Sequence, residues 1–147
     1  MSRVHQAVAN HTSGGMNCAQ AVLDTFAPEL GVSSGVAIKV AAAFGGGMGR
    51  SNGVCGAVSA AYMVLGLWED ASSANRDHLY ALVNEFNRRF KARHRSVYCT
   101  AILGANLSTP EGRAKARDEK LSSARCPNFV TSAVEILEEM RGEVDNQ

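Results

Sequence analysis

The sequence predicts an all-α fold, a compact single-domain bundle of about six or seven helices over residues 1–147, and three observations carry this reading. Apolar residues recur at helical spacing almost everywhere. Ala19, Val22, Leu23 and Phe26 follow i, i+3, i+4, i+7, as do Leu79, Leu82, Val83 and Phe86, continued by Phe90, and Val130, Ala133, Val134 and Leu137. No stretch sustains apolar–polar alternation, and the β-branched residues are scattered rather than clustered between turns, which argues against a sheet. Finally, 147 residues with 46% hydrophobic content suit one domain with a single core, and no repeat, low-complexity tract or long linker divides them.

Punctuation places the elements in order. Helices are expected near 3–12, 17–28, 33–44, 54–68, 74–94, 110–119 and 127–141, with a short helical turn around 99–104. Asn17 is suited to cap the second helix. The charge-free run from Ser51 to Trp68 begins with Ser-Asn-Gly and leaves only about fifteen residues fit for hydrocarbon, short of the roughly twenty that a span needs, so it reads as a buried core helix. Ser108-Thr109-Pro110-Glu111 puts proline at a first helical position with a hydroxyl residue before it. Arg125-Cys126-Pro127 repeats the device with cysteine before the proline, so both read as helix starts.

Charge excludes some functions. With 15 basic and 14 acidic residues the chain lacks the strong positive field of a nucleic-acid binder or a polybasic membrane tail. Neither nucleic acid nor membrane insertion is expected. The first residues, Met1-Ser2-Arg3-Val4-His5-Gln6, lack the apolar segment and cleavage site of a secretory signal, so a cytoplasmic location is expected. In a reducing compartment four cysteines point towards metal binding or redox chemistry rather than structural disulfides, with simple buried thiols as the alternative.

The stretch Phe44-Gly45-Gly46-Gly47-Met48-Gly49-Arg50 leads into Ser51-Asn52-Gly53-Val54-Cys55. It lacks the lysine and glycine spacing of a phosphate loop and follows a helical segment, not a strand. A connection that ends a helix in left-handed geometry and lets its backbone pass close to a neighbour fits better. Cys55 then opens the next helix, where unpaired amides and the dipole favour a thiolate. Cys18 follows Asn17, Cys99 precedes a short apolar turn, and Cys126 precedes Pro127, so all four thiols are expected near helix N-termini.

No Cys-x-x-Cys occurs, which argues against thioredoxin-like exchange, zinc ribbons and close-spaced ferredoxin sites. Any joint site has to be assembled by the fold. Four thiolates brought together would suit a two-iron cluster or zinc; pairs would instead form reversible disulfides, with three possible connectivities.

Asn17-Cys18-Ala19-Gln20-Ala21-Val22-Leu23, the Phe44 to Arg50 loop running into Val54-Cys55-Gly56-Ala57, then Tyr98-Cys99, Leu103-Gly104 and Cys126, resemble the C_GCAxxG_C_C family of redox-active proteins over nearly the whole chain. The resemblance implies a small helical protein, similar to a domain of split-Soret cytochromes associated with an iron–sulfur centre. It implies that Cys18, Cys55, Cys99 and Cys126 are the redox or metal-binding thiols, and that Gly45, Gly46, Gly47, Gly49 and Arg50 form the loop shaping the site. One departure stands out: the family has glycine two residues after Cys-Gly-Ala, and here Ser59 is followed by Ala60. No haem-attachment Cys-x-x-Cys-His is present.

The expected function is redox activity, with electron transfer through an iron–sulfur cluster held by some or all of the four cysteines. The alternatives are thiol–disulfide chemistry, with Cys55 attacking and a second cysteine resolving, and a structural zinc module without catalysis. The expected partner is an unidentified redox protein, and a homodimer whose cysteines meet across subunits stays open. Arg50 suits an anion or a thiolate as well as solvent. His94 suits a mixed metal site, but its basic run Arg88 to Arg95 reads better as a solvated helix end. His5, His11 and His78 show no partner pattern, and Tyr62 and Trp68 read as packing residues.

Overall fold

The computed structural model describes residues 2–69 and 73–145. Among these the chain forms eight α-helices: α1 Arg3–Thr12, α2 Cys18–Phe26, α3 Ser34–Ala41, α4 Gly56–Trp68, α5 Arg76–His94, α6 Cys99–Leu103, α7 Pro110–Asp118 and α8 Leu121–Asp145. The all-α reading holds. The described residues carry no strand beyond one isolated antiparallel bridge, Val54 with Tyr98.

Helix α2 occupies the centre because it is apolar on almost every side: eight of its nine residues are buried. It packs on α1, α3, α4 and α8. The three predicted apolar faces all turn inward, and Phe26, Phe86, Phe90, Val130, Val134 and Leu137 are fully buried. Each such side chain contributes about 1.5–3 kcal/mol relative to exposure. Trp68 meets Phe26 edge-on at 5.8 Å, and Tyr62 meets Phe86 at 6.3 Å, so both serve packing as expected.

A smaller apolar cluster of Leu103, Ala105, Ala116 and Leu121 lies beside the main core, and Cys126 packs against both. The seam between the clusters is where the cysteines gather. No helix among the described residues is long and apolar enough to cross a membrane.

Two expectations about the helices need correction. The last helix starts at Leu121, and Pro127 lies inside it rather than at its first position. An internal proline costs about 3 kcal/mol. Tertiary contacts offset that cost: Leu121 is buried in the second cluster, and Arg125 Nη1 donates to the Leu103 carbonyl at 2.6 Å. The basic run is also less solvated than its composition suggests. Arg89 reaches Glu143 at 2.7 Å, and Arg93 bridges Glu135 and Glu139 at 3.2 and 2.9 Å, which ties α5 to α8.

Candidate functional site

Cys18 owes its position to a capping box. The Asn17 side chain accepts the Gln20 amide at 2.9 Å, and the Gln20 side chain accepts the Asn17 amide at 3.0 Å, which fixes the start of α2 with Cys18 as its first helical residue. The same two side chains reach across to the preceding layer. Asn17 Nδ2 donates to the Ala42 carbonyl and Gln20 Nε2 to the Ile38 carbonyl, each at 3.0 Å, so the helix start is pinned to the chain entering the glycine loop.

The loop itself is a turn of left-handed helix. Gly46, Gly47, Met48, Gly49 and Arg50 carry φ values of 70, 76, 60, 70 and 66°, and Asn52 follows at 63°. Left-handed geometry costs about 1–2 kcal/mol per residue that bears a Cβ, which is why glycine fills three of those six positions. Hydrogen bonds hold the rest: Gly49 N–H to the Gly45 carbonyl at 3.0 Å, Gly53 N–H to the Gly47 carbonyl at 2.9 Å, and Ser51 Oγ to the Met48 carbonyl at 2.7 Å.

Beyond the loop the chain runs extended and pairs with the segment before α6. Cys55 N–H donates to the Val97 carbonyl at 2.7 Å, and Cys99 N–H to the Gly53 carbonyl at 3.1 Å, flanking the Val54–Tyr98 bridge. Two cysteine-bearing segments therefore lie side by side just as each enters its helix. The backbone also presses on the sulfurs. A Cβ on Gly47 would stand 2.6 Å from Cys99 Cβ, and one on Gly56 would stand 2.6 Å from Cys18 Sγ.

The outcome is a cavity of about 520 Å³ lined by all four cysteines, together with Gly45, Gly46, Gly49 and Arg50. Gly47 is buried behind this wall against Cys99. Cys18 and Cys55 are buried, Cys99 and Cys126 half-buried, and all four are free thiols.

The four thiols are not equivalent. Cys55 donates its S–H to the Cys18 sulfur, and the amides of Gly46, Ala19 and Ala57 point at the same atom; together they outweigh burial and hold the Cys18 thiol down at about 6. Cys55 is the protonated partner. Its hydrogen bond to Cys18, its burial and the repulsion of a neighbouring thiolate push it well above the ordinary thiol value, and only the Ala57 and Val58 amides oppose them. Burial, and then the charge on Cys18, pushes Cys99 up to about 11. Burial and the charges of Cys18 and Cys99 push Cys126 up to about 12, with the Ser122 hydroxyl opposing.

The direction of these shifts favours Cys18 over Cys55 as the activated thiol, where the sequence pointed to Cys55, and not every cysteine profits from a helix start. Cys126 sits inside α8, away from free amides. Cys55 and Cys99 do sit at helix starts, but the hydrogen bond to Cys18 and burial at Cys55, and burial at Cys99, outweigh the helix dipole. His94 is not on the cavity wall; it lies between Phe90 and Phe129, with Nε2 2.8 Å from Ser132 Oγ. His11 and Ser122 also line the wall, and the sequence reading gave neither a part in the site. The buried Nδ1 of His11 has no hydrogen-bond partner among the described residues, and burial lowers its pKa, so the ring is neutral near pH 7. No spacing pattern in the sequence marks either residue.

Four thiols are the right donors for a soft metal or an iron–sulfur cluster. As arranged, however, no three His, Cys, Asp or Glu side chains among the described residues stand close enough to hold a metal ion. The geometry fits a thiol pair better than a ligand set.

Residues 16–140 match the sequence profile of the family described as "Putative redox-active protein (C_GCAxxG_C_C)", a span that takes in all four cysteines and the whole glycine loop. The chain belongs to this family. The match gives the C_GCAxxG_C_C resemblance of the cysteine and loop motifs a footing over most of the chain. No curated protein and no solved structure matches it. Where this C_GCAxxG_C_C protein carries Ala60, the residue is fully buried in α4, so the added methyl is accommodated inside the core.

Proposed function

We propose that this redox-active protein works by thiol–disulfide exchange, with Cys18 as the attacking thiolate and Cys55 as the resolving thiol. The observation that carries the reading is the hydrogen bond from Cys55 to a Cys18 sulfur that three backbone amides also approach. A thiolate near neutral pH is the nucleophile in exchange, and its partner thiol stands within reach to displace what it captures.

Cys18 Sγ attacks one sulfur of an external disulfide R–S–S–R, forming Cys18–S–S–R and expelling R–S⁻. The expelled thiolate takes the Cys55 proton, and Cys55 Sγ then attacks Cys18 Sγ, forming the Cys18–Cys55 disulfide and releasing the second R–S⁻. The external disulfide is reduced and the cysteine pair is oxidised.

Incubating the reduced protein with an uncharged disulfide and mapping crosslinked peptides by mass spectrometry tests this. A dominant Cys18–Cys55 link is expected, absent from the Cys18→Ser chain. Random pairing, or none, overturns the reading.

A second reading, electron transfer through an iron–sulfur centre, is favoured by one observation: all four thiols line a single cavity of about 520 Å³. Bound there, such a centre would supply one-electron chemistry, held by some or all of Cys18, Cys55, Cys99 and Cys126, which would have to draw closer than they stand in this structure. Anaerobic preparation with iron and sulfide analysis tests it, and a colourless, metal-free protein after reconstitution excludes it. Zinc in the same four thiols is distinguished by chelation that unfolds the protein with no change in a redox signal.

A further inference from the structure

A second cavity, of about 580 Å³, adjoins the cysteine cavity and shares Arg50, Leu107 and Ser122 with it. Its remaining lining is Arg113, Ala116, Arg117, Lys120 and Ser123, so four cations and no carboxylate face it. This is unusual for a chain with 15 basic and 14 acidic residues. Elsewhere four arginines pair with carboxylates: Arg3 with Glu29, Arg88 with Glu85, Arg89 with Glu143 and Arg93 with Glu139. Around the second cavity such pairing is nearly absent. Arg50 and Lys120 have no ion pair or side-chain hydrogen bond among the described residues, and Arg113 spends one nitrogen on the Leu107 carbonyl at 3.0 Å. Only Arg117 meets an acid, the exposed Asp118 at 3.3 Å.

The fold holds this arrangement in place. The left-handed turn lays Gly46 against the Arg50 stem, so closely that a Cβ there would stand 3.1 Å from Arg50 Cγ. The same turn aims the Gly46 amide at Cys18. One loop therefore sets both the thiolate and the cation beside it. Arginines grouped with lysine around a cleft recognise phosphate or carboxylate oxygens, and such a cleft concentrates anions.

We propose that the basic cavity binds the anionic end of a small-molecule disulfide, one bearing phosphate or carboxylate groups, and so presents its sulfur to Cys18. This rests on the thiol–disulfide reading and names the substrate class for it. The exchange is the one already written: the Cys18–S–S–R bond forms, the R–S–S–R bond breaks, and the anionic R–S⁻ leaves.

The test compares rates of Cys18 mixed-disulfide formation with three probes: dithiodiglycolate for carboxylates, coenzyme A disulfide for phosphates, and uncharged bis(2-hydroxyethyl) disulfide. The wild-type chain is expected to favour at least one anionic probe by about 10-fold or more, an advantage that fades near 1 M salt, where the Debye length is about 3 Å. Which anionic probe wins identifies the oxygen source. Arg117→Gln/Lys120→Gln is expected to lose the preference while reacting with the uncharged probe at the wild-type rate. Equal rates for all three probes in the wild-type chain, or a preference that survives the double variant, overturns the proposal. Should the uncharged probe fail to react at Cys18, the thiol–disulfide reading falls. Calorimetric titration of the Cys18→Ser chain with pyrophosphate then judges the cavity on its own. Binding lost in the double variant upholds the anion site, and no binding overturns it.

Discussion

The Cys18 thiol is held below its ordinary pKa by atoms that reach it from distant parts of the chain. Its own helix supplies the Ala19 amide, the glycine loop supplies Gly46, and the start of α4 supplies Ala57 and the Cys55 thiol. Packing against this sulfur is tight at Gly56, whose missing side chain leaves room for it. Replacing Gly56 by alanine would favour helix by up to about 1 kcal/mol. The new Cβ, 2.6 Å from Cys18 Sγ and 2.9 Å from the Phe44 carbonyl, would cost about 1–3 kcal/mol in overpacking. The clash wins: chemical denaturation of Gly56→Ala is expected to show a net loss of stability, and the displaced sulfur to titrate at higher pH than in the wild-type chain. The cysteines themselves were legible in the sequence, as was the role of glycine in close backbone approach. The identity of the thiolate was not, because three of its four donors lie outside the local segment.

Among the elements, α2 does most to place the site, and its N-cap is the joint that matters. Asn17 both caps the helix and donates to the Ala42 carbonyl. Asn17→Ala should therefore cost about 0.5–2 kcal/mol of unfolding free energy, read from a urea midpoint, and should also raise the Cys18 pKa by loosening the entry to the glycine loop. A stability loss with an unchanged Cys18 titration would confine Asn17 to a structural part. Helix boundaries were readable wherever 3.6-residue periodicity met a capping residue, as at Asn17 and Thr109, whose side chains accept from Gln20 and Gly112 amides. The start of α8 was not, since a proline after a cysteine signals a helix start locally. The contacts that extend α8 back to Leu121 come from α6 and the second apolar cluster.

Across the whole molecule the thiols give stability a characteristic pH profile. Cys18 has a folded-state value of about 6, below the ordinary thiol value of 9.0, so the unfolded chain binds the extra proton between them. Its contribution is present above the unfolded value and is lost as pH falls through the folded one. Cys55, Cys99 and Cys126 run the opposite way: each holds its proton more tightly when folded, so stability is lost as pH rises from about 9 through about 11 and 12. Urea midpoints of the reduced chain should therefore rise from pH 6 towards 9 and fall beyond it. Subtracting the Cys18→Ser profile should isolate the acid limb, and an unchanged limb in that variant would assign it to other groups. The fold at this scale was readable from apolar periodicity. The clustering of the cysteines was only an expectation, because convergence depends on how α2, α4, α6 and α8 cross, which no single segment encodes.

The most direct test of the central claim, that Cys18 alone is a thiolate and Cys55 its proton donor, is site-resolved alkylation of the reduced protein across pH, read by mass spectrometry. Cys18 is expected to be modified with a midpoint near pH 6, the other three thiols to stay protected at neutral pH, and the Cys18 midpoint to rise in Cys55→Ala. Alkylation of Cys55 ahead of Cys18, or all four thiols titrating together near pH 9, would contradict it.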